Sequence, residues 1–136
     1  LFSRNKDYYK VFKSCNAGSK TNSWCGKCPK CLFTYLIMSP FISQEDLINI
    51  FGKDLLNDND LQPILKQLKG EADVKPFECV GTIEEVNACL SFVRRAEESG
   101  QKSSLTVDDL LSQYDGNNNL PEQFEAILKD NLFKNN

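Results

Sequence analysis

The chain has no histidine, one tryptophan and one methionine among its 136 residues. Without imidazole, histidine acid–base catalysis and histidine metal ligation are excluded within it. Any metal site must draw on cysteine, aspartate, glutamate or backbone oxygen. Long apolar runs are also missing. The longest, residues 31–38, is broken by Thr34 and falls far short of the roughly 20 residues that span a bilayer. No secretory signal or lipidation motif is seen. The nucleotide and hydrolase signatures GxxxxGKS/T, GxGxxG, GxSxG and HExxH do not occur. The sole methionine is Met38 and the chain starts at Leu1, so a fragment or processed product of a longer protein is expected.

What is present is ordinary for a globular protein: 40% hydrophobic and 26% charged residues, in a length that suits one domain with a core of its own. The net charge of −3 disfavours a general nucleic-acid binder. The charge is uneven. Arg4, Lys6, Lys10, Lys13, Lys20, Lys27 and Lys30 face only Asp7 within residues 1–31, and the rest is acidic. This basic stretch surrounds the cysteines, where it offsets an anionic metal centre or meets an anionic ligand such as a phosphate.

Four of the six cysteines crowd into residues 15–31 as C-x9-C-x2-C-x2-C. Cys15, Cys25, Cys28 and Cys31 supply the four soft thiolates of a closed tetrahedral zinc site. Gly26 allows the tight approach of the backbone between Cys25 and Cys28. Pro29 suits the first turn of a helix that carries Cys31 into the site and Leu32, Phe33, Leu36 and Ile37 into the core. Three disulfides and an iron–sulfur cluster are the competing uses. The first fits poorly with a chain of this size and so tight a cysteine run. The second usually has its fourth cysteine downstream, before a proline. Cys89 reads as a small buried hydrophobe on the face of Val86, Leu90 and Val93. Cys79 also reads as buried, although a thiol near a helix start can be activated.

Punctuation along the chain predicts a mainly α fold with an N-terminal four-cysteine zinc knuckle and at most one short β element, near Val11 or Phe77. Residues 1–9 read as the end of a helix, and Lys10–Ser14 alternates like a short strand. Helices are expected over 29–38, from Ser43 to Gly52, from the Asn57–Asp60 cap to Lys69, and over 83–98 behind the Thr82–Glu85 capping box. Two more are expected, from Thr106 to Tyr114 and from Pro121 to Leu132. Asp115–Asn119 reads as a loop that lacks the ligand spacing of a calcium site. The whole, 1–136, is read as a single zinc-bearing helical domain. Glu84–Glu85 reads as a capping feature. The pair Glu78–Cys79 is the acid–thiol arrangement open to catalysis.

The segments Phe12-Lys13-Ser14-Cys15-Asn16 and Trp24-Cys25-Gly26-Lys27-Cys28-Pro29-Lys30-Cys31 resemble the C-terminal zinc segment of PP-loop ATP-dependent enzymes, including the 7-cyano-7-deazaguanine synthases. With Leu32-Phe33-Thr34-Tyr35 and Lys75-Pro76-Phe77-Glu78-Cys79-Val80-Gly81, residues 1–95 are similar to the family of UDP-N-acetylmuramoyl-L-alanyl-L-glutamate epimerases. The resemblance implies the C-terminal part of a cytoplasmic isomerase in peptidoglycan precursor synthesis, inactive alone. Structural zinc would sit in this part. ATP, magnesium and an SGGxDS-type loop would belong to an upstream region, its partner in the same chain. The substrate would be a small molecule linked to a nucleotide. Glu78 and Cys79 become candidates for proton transfer. Lys13, Lys27 and Lys30 become candidates for contacts to ATP or the UDP diphosphate. A non-catalytic zinc module for protein or nucleic acid, or part of a synthase-like enzyme, is the competing reading.

Overall fold

A computed structural model describes residues 2–77, 79–99 and 120–133. The chain divides into two compact units, Leu1–Ser103 and Ser104–Asn136.

The first unit is organised around helix α1, Pro29–Met38. Its sequence is apolar on nearly all sides, the pattern of a helix surrounded by others. It packs against α2 (Gln44–Phe51), α3 (Gln62–Leu68) and α4 (Ile83–Ser99). Leu32 and Leu36 are completely buried and Tyr35 nearly so. Around them close Leu47 and Phe51 of α2, Leu55, Leu61, Leu68 of α3 and Val86 of α4.

The helix ends follow their local chemistry. Ser43 Oγ accepts from the Asp46 N–H at 3.1 Å, and the left-handed Gly52 ends α2. The carboxylate of Asp46 pairs with Lys6 at 2.9 Å. Asp58 caps the short 3-10 turn Asn59–Leu61 that leads into α3. At α4 the capping box is reciprocal. The Thr82 N–H donates to Glu85 Oε2 at 2.7 Å, and the Glu85 N–H donates to Thr82 Oγ1 at 3.2 Å.

Between α2 and α3 a partly buried corner is tied by Asp54. Its carboxylate accepts from Tyr35 Oη (3.2 Å), Gln44 Nε2 (2.9 Å), the Leu56 N–H (3.0 Å) and Asn57 Nδ2 (2.7 Å). One acidic side chain thus joins α1, α2 and the loop. Burial pushes its carboxyl up, but the bonds from Asn57 and Gln44 outweigh this and hold it below the usual carboxylate range.

Two expectations change. Residues 2–9 form two 3-10 turns, Phe2–Arg4 and Lys6–Tyr9, rather than the end of a helix. The Lys10–Ser14 alternation produces no strand, and none forms near Phe77 among the described residues. Val11 and Phe12 are instead exposed, with the Phe12 ring edge-on to Phe2 and tilted against Trp24. A lone alternating segment has no neighbouring strand to bond with, so tertiary contacts decide its path. In α4, the expected Val86 is buried, and Phe92 joins it at 4% exposure.

In the second unit α5 spans Glu122–Phe133, as expected of the segment after Pro121. Phe124 and Ile127, expected on its apolar face, are exposed. The expected helix 106–114 and loop 115–119 lie outside the described residues. Among those described, no helix is long and apolar enough to cross a membrane.

Candidate metal centre

The four expected cysteines converge. The Sγ atoms of Cys15, Cys25, Cys28 and Cys31 all lie within 4.8 Å of one another, and all six cysteines of the chain are free thiols. Three separations are shorter: 3.9 Å for Cys15–Cys28, 3.7 Å for Cys25–Cys31 and 3.5 Å for Cys28–Cys31.

Each sulfur is placed by a different local device. Cys28 occupies the N-cap of α1 in extended conformation, followed by Pro29 in the first turn. Cys31 therefore lies on the first turn of α1, and it is fully buried beneath the loop. Cys25 precedes Gly26, whose φ of +66° is left-handed backbone that a side chain would strain. This is the tight reversal that brings Cys25 back beside the helix start. Cys15 arrives on the segment leading out of the Lys6–Tyr9 turn and is 2% exposed. The Gly18 N–H donates to its sulfur at 3.3 Å. At Gly18 a Cβ would run into the backbone carbonyl of Ser23, so that loop closes only with glycine.

The loop between Cys15 and Cys25 has only one short 3-10 turn, Ser19–Thr21. It is laced by local bonds: Ser19 Oγ donates to the Asn16 carbonyl at 2.8 Å, and the Thr21 and Ser23 hydroxyls lie 2.7 Å apart. Lys30 Nζ donates to Asn16 Oδ1 at 3.2 Å and so pins the loop to α1. Trp24, beside Cys25, is buried between Phe12 and Phe51, with ring centroids 5.9 and 4.7 Å away. Its Nε1 is buried with no hydrogen-bond partner among the described residues.

The thiols differ in acidity. Burial pushes Cys15 up, but hydrogen bonds from the backbone at Cys25 and Gly18 bring it down to about 7. Burial dominates at Cys28, pushed up to about 11, and raises Cys31 further. Four anionic sulfurs this close repel one another unless a cation sits among them. As a donor set they could hold a metal ion. A tetrahedral centre with metal–sulfur bonds of ~2.3 Å has sulfur–sulfur edges of ~3.8 Å, close to the three separations above.

The other candidates scatter. Cys79, expected to be buried, is exposed. It follows the fully exposed Phe77 on the loop between α3 and α4. Glu78 lies outside the described residues. Cys89 is half-buried against the core, and burial raises its thiol to about 11. Lys13 turns back on its own backbone, donating to the carbonyls of Lys10 (2.9 Å) and Phe12 (3.3 Å). Lys27 is exposed, and Lys30 holds Asn16. Lys6 and Lys10, read from the sequence only as part of the basic stretch, line a cavity with Lys13, Asp46 and Asn49, and the last two were not singled out as site residues. The spacing of Lys6, Lys10 and Lys13 was the available signal, one face of a helical turn.

Known proteins were compared with the chain. The family model described as the MurL C-terminal domain matches residues 11–134. Three curated relatives share the name UDP-N-acetyl-alpha-D-muramoyl-L-alanyl-L-glutamate epimerase. The Micromonospora sp. protein is 41% identical over 102 residues, 72% of this chain and 23% of its own length. The Salinispora tropica protein is 40% identical over 114 residues, 81% of this chain and 24% of its own. The Xanthomonas oryzae pv. oryzae protein is 32% identical over 134 residues, 93% of this chain and 30% of its own. The chain thus spans 23–30% of the length of these relatives. No solved structure matches it. With the family model running from the approach to Cys15 through α5, the chain belongs to the MurL C-terminal domain family.

Proposed function

We propose that the chain is the zinc-bearing C-terminal domain of an ATP-dependent PP-loop epimerase. The whole enzyme would convert the terminal L-Glu of UDP-MurNAc-L-Ala-L-Glu to D-Glu in peptidoglycan precursor synthesis. The reaction reading is supported by the shared name of the three relatives. The zinc reading rests on the convergence of Cys15, Cys25, Cys28 and Cys31 within 4.8 Å.

The donor set fits zinc in number, softness and spacing. A four-iron cluster binds each thiolate to a different iron, which sets the sulfurs farther apart than the edges of a single-metal tetrahedron. Bound zinc would have four protein ligands and no open position, so its role here is to hold the fold. Cys15, Cys25 and Cys28 would then be fixed to the first turn of α1 through Cys31.

The chemistry of such an epimerase explains its need for ATP. The α-proton of glutamate is hard to remove beside an ionised carboxylate. Transfer of the AMP group of ATP to that carboxylate releases diphosphate and makes the proton more acidic. Removal of the proton, its return on the opposite face and hydrolysis then give D-Glu and AMP. The nucleotide region and magnesium would belong to the remainder of the full-length protein. Cys79, exposed between α3 and α4, is accessible to that remainder, and with Glu78 it is the candidate for proton transfer.

The test is turnover by the full-length protein. UDP-MurNAc-L-Ala-L-Glu with ATP and magnesium should yield the D-Glu product with AMP and diphosphate. Loss of turnover in Cys79→Ala or Glu78→Gln would place proton transfer there, whereas normal rates in both would remove them. A full-length protein that leaves the glutamate centre unchanged contradicts the reading and favours a non-catalytic zinc module.

A further inference from the structure

A cavity of about 550 Å3 opens between the Lys6–Tyr9 turn, the residues following it and α2. Its volume falls in the range of roughly 300–1,000 Å3 typical of small-ligand sites. Lys6, Lys10 and Lys13 line it with Asp46, Asn49 and Ile50. None of the four clustered cysteines takes part.

Three lysines and one aspartate line this opening, although the chain as a whole carries a charge of −3. Lys6 Nζ donates to Asp46 Oδ2 at 2.9 Å, which neutralises the one acid and leaves two further donor hydrogens on Lys6. Lys13 is held in place by the carbonyls of Lys10 and Phe12. Its charge is fixed there and acts through space. Lys10 is exposed at the rim. The residues lining the cavity carry two positive charges in excess, three lysines against one aspartate. Asn49 offers both a donor and an acceptor, and half-buried Ile50 gives an apolar wall.

We propose that this cavity binds the diphosphate group of a nucleotide ligand. Two excess positive charges match the two negative charges of a diphosphate diester. Ammonium groups bind phosphate oxygens without demanding one geometry. The inference rests on the proposed function for the kind of nucleotide present, because both a sugar nucleotide and an adenine nucleotide bring the same diphosphate.

The test is calorimetric titration of the full-length protein with UDP-N-acetylglucosamine and, separately, with ADP. Lys10→Glu places an acid at the exposed rim, and Lys10→Arg keeps the charge. Lys66→Glu makes the same charge reversal on the exposed face of α3. Lys10→Glu should weaken binding of at least one probe about tenfold or more, with Lys10→Arg and Lys66→Glu near wild type. Weakening confined to UDP-N-acetylglucosamine assigns the cavity to a sugar nucleotide, and weakening confined to ADP assigns it to the adenine nucleotide. Wild-type affinity of Lys10→Glu for both probes, or no binding of either probe by the wild type, overturns the proposal. Binding is read without turnover. A protein that fails to epimerise yet binds in a Lys10-dependent way contradicts only the proposed function. An active epimerase whose binding ignores Lys10 contradicts only the cavity.

Discussion

Residues 12–28 and residues 29–92 lie side by side and are held by different means. The helical part has Leu32, Leu36, Leu55, Leu68 and Val86 completely buried and Leu47 and Leu61 close to it. Its helix ends are capped by Ser43, Asp58 and Thr82. The segment before it contains one three-residue 3-10 turn, and its buried side chains are two aligned for different purposes: Cys15 toward the other thiols, Trp24 toward Phe51. A loop with so little apolar burial cannot offset the entropy of ordering its backbone, about 1–2 kcal/mol per residue, by packing alone. Two regions of one compact unit therefore call for two kinds of stabilisation, one spread over many apolar contacts and the other concentrated on four sulfurs.

The sharpest way to break this comparison is to take the concentrated term away. Stripping metal from the reduced protein with a chelator should have the largest effect of any perturbation, because structural zinc in small domains is worth on the order of 10 kcal/mol at neutral pH. Hydrogen exchange should show residues 16–25 losing protection first, with part of the helical signal surviving. Equal loss in both regions would show that the helices have no independent footing. Acid should act like the chelator. Thiolate ligands are anions, so the stability they give is present at neutral pH and is lost as falling pH protonates them and releases the metal.

Next in size is Leu32→Ala, expected to cost about 2–5 kcal/mol in chemical denaturation while leaving metal content unchanged. A parallel loss of metal would show that α1 packing and the cysteine cluster are one cooperative element. Asp54→Ala should cost about 1–3 kcal/mol at neutral pH, since Tyr35 Oη and neighbouring donors lose their acceptor. The folded pKa of Asp54 is depressed. Its contribution is therefore present above the unfolded value of about 3.9 and disappears as pH falls through the folded one. The gap between wild type and Asp54→Ala should narrow below about pH 4. The smallest effect is expected at Trp24→Phe, within about 1 kcal/mol of wild type, because the buried indole N–H has no protein acceptor to lose. A much larger loss would mean that the indole ring, rather than the cysteine cluster, anchors the loop.

The cysteine cluster was legible because its chemistry is local in sequence: a run of C-x2-C-x2-C with Gly26 and Pro29 already specifies a turn entering a helix. The helix caps at Ser43 and Thr82 were legible for the same reason. What escaped depends on residues far apart. Asp54 gathers donors from Tyr35 and Gln44, and Lys6 finds Asp46 across 40 positions, pairings that no periodicity announces. Residues 10–14 alternate like a strand but have no partner strand, so the period misleads. Cys79 reads as buried because a free cysteine ordinarily behaves as a small hydrophobe. The loop, however, turns Phe77 and Cys79 outward while Val80 packs on the core.

The most direct measurement is the metal content of the reduced, natively purified protein, taken with its visible spectrum. One zinc per chain and no visible colour are expected, with the zinc lost in Cys25→Ala. A chain that carries no metal, or iron with charge-transfer absorbance, would contradict the four-thiolate zinc centre.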